Sequence, residues 1–256
     1  MTVLTYLNPT EVDSAAVQGR AAVVIDAIRA TSTMVEALAN GARAIYPTVS
    51  TEEAIRLANS MGREDTLLCG ERKGLKVEGF DLGNSPREFT RDRVEGKRLV
   101  MSTTNGTRAL VAAASARRVL VASFLNLDAV VEALSGEEEL VMVCAGKDDR
   151  FGLDDTLCAG LLVNALRGEE SEGERWNDAS RAAAALARGR AVTADLLAGT
   201  EAGRALVEVG LEDDLPICAH TNRHAIVPEM EDRMIRLGDV PASPPREAPG
   251  PGSTSV

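Results

Sequence analysis

Six short apolar runs punctuate the chain: residues 21–25, 44–46, 66–69, 98–101, 119–122 and 140–145. Most are continuously apolar rather than alternating, the pattern of strands covered on both faces in a parallel sheet. Helical stretches lie between them. Residues 33–40 open with a Thr33-x-x-Glu36 capping box and stop at Gly41, a residue type that accepts the left-handed turn at a helix C-terminus. Residues 52–61, 107–116, 127–134 and 155–167 repeat the scheme, and further helices are predicted over 179–188, 194–198 and 201–209. Residues 226–227 and 234–237 predict a closing hairpin around Glu231-Asp232. Strand–helix alternation of this kind predicts a three-layer α/β/α fold with a mostly parallel sheet and right-handed crossovers.

A shift of 75 residues lays 23–58 on 98–133, and both segments read strand, polar loop, Ala-rich helix, basic turn, short strand, helix. This predicts two similar strand–helix units inside a single α/β domain over residues 1–239. From Val240 onward the Pro, Ser and Gly content predicts a disordered tail. Residues 169–178 are polar and read as a surface excursion.

Composition narrows the function. The chain has 256 residues, 45% hydrophobic and 26% charged, with a formal net charge of −11. That charge argues against nucleic acid, whose affinity rests on Lys and Arg neutralising phosphates. No apolar run approaches the ~18 residues of a membrane span, and the first residues lack the pattern of a signal peptide. A cytoplasmic protein without membrane or nucleic-acid partners is expected. Cys69, Cys144, Cys158 and Cys218 are widely spaced and read as buried thiols rather than disulfides or zinc ligands.

Chemistry concentrates at strand ends, where open α/β sheets bind ligands. The run ending at Ile25 leads through Asp26, Arg29, Thr31, Ser32 and Thr33 into a helix, and the run ending at Met101 through Ser102-Thr103-Thr104-Asn105-Gly106-Thr107 into another. A third junction runs from Ala145 to Asp154-Asp155-Thr156. Each taken alone is an ordinary helix cap. Together they predict a shared anion site, since helix N-termini present free N–H groups and partial positive charge. No GxxxxGK[ST] is present, so nucleotide triphosphate binding has no support, and no GxGxxG follows the first strand.

Asp26 closes a wholly apolar run, where an ionised carboxylate is costly unless paired or metal-bound. It either pairs with Arg29 or serves as a Mg²⁺ ligand or phosphoryl-accepting nucleophile. The haloacid-dehalogenase pattern wants a second Asp two positions later, and Ile28 stands there. In the Gly-rich segment 70–86, Glu71, Glu78 and Asp81 offer oxygen ligands for a hard metal, and Arg72, Lys73 and Lys76 can neutralise an anion. His220 and His224 lack an HExxH context and read as surface or capping residues.

These stretches resemble the 2-phosphosulfolactate phosphatase family of coenzyme M biosynthesis. The likeness is carried by Asp26-Ala27-Ile28-Arg29-Ala30-Thr31-Ser32-Thr33, Gly70-Glu71-Arg72, residues 77–86, residues 102–109, Cys144-Ala145-Gly146 and residues 153–160, in order. It implies Mg²⁺-dependent hydrolysis of a small anionic phosphorylated substrate, releasing sulfolactate and phosphate. The implied roles are Asp26 and Arg29 in catalysis, with Asp26, Glu71, Glu78, Asp81 and Asp154 on the metal. Thr31, Ser32, Arg72, Asn84, Thr104, Asn105, Gly106 and Thr107 would bind substrate. A homodimer is compatible with this reading. Two alternatives stay open: a phosphatase of the same fold with another ester, and a non-catalytic phosphometabolite-binding protein.

Overall fold

The structure is a computed structural model that describes residues 1–167 and 175–238. The tail expected from Val240 and most of the excursion at 169–178 lie outside the described residues. Ten strands form one sheet: β1 Thr2–Tyr6, β2 Ala21–Ile25, β3 Ala44–Pro47, β4 Thr66–Arg72, β5 Leu75–Lys76, β6 Arg98–Ser102, β7 Arg118–Ala122, β8 Glu139–Cys144, β9 Pro228–Glu231 and β10 Met234–Leu237. The helices among the described residues begin with α1 Ser14–Val17, α2 Ala30–Ala39, α3 Thr51–Met61 and α4 Arg91–Val94. Then come α5 Gly106–Ala113, α6 Leu127–Ala133, α7 Leu153–Leu166 and α8 Asp178–Ala187, followed by α9 Ala194–Ala198, α10 Glu201–Glu208 and α11 Leu215–Cys218.

The order across the sheet is β1-β8-β2-β7-β9-β10-β3-β6-β4-β5. β1, β8, β2 and β7 are parallel to one another, as are β3, β6 and β4. The β9–β10 hairpin joins the two sets and is antiparallel to both. It turns at Asp232-Arg233, both in the left-handed region. The sequence misses β1 as a strand, because its burial alternates at the sheet edge instead of running continuously.

The expected units form with the same order of elements, and each crosses between the two sets. β2 leads through α2 to β3, and β6 leads through α5 to β7. α2 and α5 lie in one core enclosed between the sets: Met34, Leu38, Ala109 and Leu110 pack with Val24, Val121 and Val143 from one side and Ile45, Leu99 and Met101 from the other. The outer face of the first set packs against α6, α7 and the C-terminal helices. α3 covers the outer face of β4 and β6. In a flat sheet the oppositely directed sets would open at opposite edges. Twist of about 20–25° per strand pair accumulates across the intervening strands, and the C-terminal loops of β2, β4, β6 and β8 meet around one cavity.

One local expectation is corrected. α2 starts at Ala30, with Arg29 as a cap residue that makes no side-chain cap bond. The capping box proposed at Thr33 therefore does not form. Thr33 sits within the first turn and its Oγ1 donates to Asn84 O at 2.9 Å, tying α2 to the Gly-rich segment.

Candidate active site

The cavity has a volume of about 680 Å³, and most of its polar lining comes from the four loops. β2 ends at Asp26, whose side chain is buried. Its Oδ1 accepts from Ala30 N at 3.2 Å, and its backbone is fixed by Thr31, whose Oγ1 donates to Asp26 O at 2.8 Å. On the other side stands Gly106, the first residue of α5. A Cβ at position 106 would lie 2.9 Å from Asp26 Oδ2 and 2.6 Å from Ala30 Cβ. Only glycine lets the N-termini of α2 and α5 meet over this carboxylate.

A second glycine draws in the next acid. Gly70 has φ +151°, and a Cβ there would fall 2.2 Å from Ser102 O. The end of β4 thus presses onto the end of β6, and Glu71 reaches Thr104 N with Oε1 at 2.7 Å and Gly74 N with Oε2 at 2.8 Å. Arg72 holds the same junction, donating to Ser102 Oγ at 2.9 Å and Ser102 O at 3.2 Å. α7 supplies Asp154 and Asp155 from its first turn. Asp155 bridges two loops, accepting from Ala27 N at 2.8 Å and Gly146 N at 2.9 Å.

These carboxyls share a dry environment, and their proton affinities show it. Burial pushes Asp26 up from 3.8 to about 7; nearby Asp154 and Glu71 add to the rise, while the Ala30 N–H and Arg29 oppose it. Burial likewise pushes Asp154 up to about 6, against backbone N–H groups of Asp154, Asp155 and Ile28 and the charge of Lys147. Asp155 is raised well above the usual range by burial and by its neighbours Asp154 and Asp26. A cluster of this kind, in a cavity, is the arrangement in which perturbed carboxyls mark functional sites.

The predicted residues divide clearly by position. Asp26, Arg29, Glu71, Arg72, Asn84, Thr104, Asn105 and Asp154 line the cavity. Thr31 and Ser32 do not: the Ser32 hydroxyl donates to Ala27 O at 2.8 Å, so both hydroxyls stabilise the loop from within. Thr107 exchanges hydrogen bonds with Thr103 and supports the β6–α5 turn. Glu78 is exposed outside the cavity. Asp81 points elsewhere, accepting from Leu68 N at 2.7 Å and pairing with Arg63 at 2.7 Å. Arg29 does not pair with Asp26. Its Nη1 donates to Asp214 at 2.7 Å and its Nη2 to Gly74 O at 2.6 Å, and Ser85 Oγ donates to the other oxygen of Asp214 at 2.6 Å. All four cysteines are buried, as expected, and His224 bonds Glu36 away from the cavity.

Sequence reasoning leaves Asp214, Ser85 and Lys147 unassigned. Asp214 stands in the acidic run Glu212-Asp213-Asp214, and only the fold brings it to Arg29. Lys147, half-buried at the cavity wall, follows β8 in the junction already marked by Gly146.

Two apposed parallel strand sets, with a buried carboxylate cavity where their C-terminal loops meet, define an α/β protein of the ligand-binding strand-end class. Within that class the chain belongs to the 2-phosphosulpholactate phosphatase family, whose model matches residues 6–233. A probable 2-phosphosulfolactate phosphatase of Clostridium perfringens is 40% identical over 241 residues, covering 92% of this chain and 96% of the relative. One from Symbiobacterium thermophilum is 43% identical over 223 residues, covering 86% and 94%. One from Thermotoga petrophila is 38% identical over 226 residues, covering 88% and 95%. No helix among the described residues is long and apolar enough to cross a membrane.

Proposed function

We propose that the chain hydrolyses 2-phosphosulfolactate to sulfolactate and phosphate with Mg²⁺ bound at the acidic cluster, as a cytoplasmic step of coenzyme M formation. The observation that carries the reading is the meeting of Asp26, Glu71 and Asp154 in one cavity with Arg72, Lys73 and Lys147. Buried carboxylates alone would repel a phosphate ester, so the site needs a cation between them and the substrate.

The donor chemistry fits Mg²⁺. The cavity offers carboxylate and amide oxygens, with neither imidazole nor thiol in its lining. Asn84 Oδ1 is buried at this wall without a hydrogen-bond partner. Among the described residues no three acidic, His or Cys side chains form a ready-made metal cage. Mg²⁺ does not require one, because it binds through one or two carboxylates plus waters and substrate phosphate. Asp26 and Asp154 would hold it, with Glu71 beside them. Bound there, Mg²⁺ supplies positive charge to the phosphoryl oxygens.

The chain's own groups supply the rest. Arg72, Lys73 and Lys147 attract the substrate's anionic groups, and the exposed Thr104 and half-buried Asn105 add donors at the α5 N-terminus. The water oxygen bonds to phosphorus, the phosphorus–ester oxygen bond breaks, and the proton lost by the water ends on the departing ester oxygen, giving the product hydroxyl. Asp26 would hold the cation through Oδ2, since Oδ1 is engaged by Ala30 N–H.

Phosphate release from 2-phosphosulfolactate, measured with Mg²⁺ and with EDTA, tests the reading. Release that stops on chelation and returns with Mg²⁺ is expected. No release from this ester or from a panel of small phosphomonoesters, with Mg²⁺ present, would overturn it.

A further inference from the structure

Arg29 is a permanent positive charge walled into a cavity of acids, and where that charge rests decides what the acids can hold. Its side chain is 2% exposed. A guanidinium does not lose its proton, so a buried one needs a carboxylate partner. Two are available on different segments. Asp26 stands three residues back and lines the same cavity, and Asp214 comes from the turn Glu212–Asp214 that precedes α11.

The fold makes the distant choice. Arg29 Nη1 donates to Asp214 Oδ2 at 2.7 Å and Nη2 to Gly74 O at 2.6 Å, so both terminal nitrogens are committed. The other Asp214 oxygen accepts from the buried Ser85 hydroxyl at 2.6 Å, which fixes the carboxylate from the Gly-rich segment. The Asp26 carboxylate accepts from Ala30 N at 3.2 Å on Oδ1 and pairs with no Lys or Arg among the described residues. Its Oδ2 is thereby left for a cation. Burial dominates the proton affinity of Asp26, yet the charge of Arg29 still pulls it toward the ionised form, so the two groups are close enough to attract. The Gly74 peptide extends the constraint, since the N–H of the residue that receives Arg29 donates to Glu71 Oε2 at 2.8 Å.

We propose that Asp214 is a positioning residue for the cation site. By holding the Arg29 guanidinium on its own carboxylate and on Gly74 O, it keeps that charge off Asp26. Without Asp214, Arg29 becomes a tethered competitor for the carboxylate that the cation needs, because attraction between opposite charges is strong in a wall with little water. The proposal rests on the reading that a divalent cation binds at the acidic cluster.

The test is Mg²⁺ binding without substrate, read as the rise in melting midpoint of the full chain with Mg²⁺ concentration at constant ionic strength. It is run at pH 8, above the value of about 7 to which Asp26 is pushed. Asp214→Asn keeps the side-chain shape, with an amide oxygen for Arg29, but removes the charge that holds the guanidinium; neutral hydrogen bonds are about half as strong as charge-assisted ones. It should raise the Mg²⁺ concentration for the half-maximal shift at least about threefold. Arg29→Met breaks the same buried pair but removes the competitor, so it should stay within about twofold of the unmodified chain or bind more tightly. Arg29→Met/Asp214→Asn should match Arg29→Met, a non-additive result expected when one residue acts through the other. A purely structural pair would weaken Mg²⁺ binding in both single variants alike. If Asp214→Asn does not fold, Ser85→Ala, which leaves Asp214 one hydrogen bond fewer, carries the test: a rise of at least about twofold that vanishes in the Arg29→Met background. A smaller rise in Asp214→Asn, or weakening beyond about twofold in Arg29→Met, overturns the proposal. No Mg²⁺-dependent shift in the unmodified chain overturns the cation reading, and this proposal with it.

Discussion

The Arg29–Asp214 pair is the most sharply defined energetic feature of the site, and Asp214→Ala tests it. The Arg29 and Asp214 side chains are 2% and 1% exposed, at 2.7 Å. Asp214 also accepts from Ser85, and Arg29 spends its second nitrogen on Gly74 O. Removing the carboxylate strands a guanidinium whose side chain is only 2% exposed. Breaking one side of a buried pair costs about 3–5 kcal/mol. The orphaned Ser85 hydroxyl is coupled to the same event and does not add independently. A chain of this size loses about 2–4 °C per kcal/mol, so Asp214→Ala should lower the melting midpoint by roughly 6–20 °C. Urea unfolding followed by circular dichroism, read as a midpoint change at unchanged slope, gives the free energy. The double variant Arg29→Met/Asp214→Leu should recover much of the loss, because replacing both partners by apolar groups is often neutral. A loss below about 1 kcal/mol in Asp214→Ala, or a double variant no better than the single, would refute the reasoning.

Three further outcomes follow from the site. Gly106→Ala places a methyl 2.9 Å from Asp26 Oδ2 and should cost about 1–3 kcal/mol of stability, together with at least about tenfold in phosphate release. Asp26→Asn should abolish most phosphate release yet stabilise the metal-free chain at pH 8. The folded carboxyl sits at about 7 against an ordinary 3.8, so the native state holds its proton more tightly than the unfolded state does. Stability therefore falls as pH rises between those values. The melting difference between Asp26→Asn and the unmodified chain should be near zero at pH 4 and positive at pH 8, with Asp154, Asp155, Glu71, Arg29 and Lys147 unchanged around it. Glu71→Gln should raise the Mg²⁺ concentration for half-maximal turnover at least about tenfold. Asp81→Asn, outside the cavity, should leave it within about twofold.

What the sequence could reveal follows from which interactions are local. β2 and β6 are legible because both faces of each are covered, so residues 21–25 and 99–101 carry no polar side chain. Asp26 stands out for the same reason: an acid at the end of such a run must have a purpose or a partner. Its apparent partner, Arg29, is three residues away, and proximity along the chain suggests a pair that the fold does not make. The guanidinium turns instead to Asp214, 185 residues on, a contact that no local pattern encodes. The Gly-rich segment shows the same limit. Glu71, Glu78 and Asp81 are equivalent as residue types, and what separates them is direction. Gly70 lets β4 close on Ser102 and delivers Glu71 to Thr104 N, whereas Asp81 is turned back onto Leu68 N. Thr31 and Ser32 mislead in another way, because a hydroxyl that could face a ligand is as readily used to pin the loop beneath it. The hydroxyls and acids in these loops thus serve two ends, some fixing backbone and some facing the cavity. Backbone direction alone sorts them, and it is set by contacts between strand sets far apart in sequence.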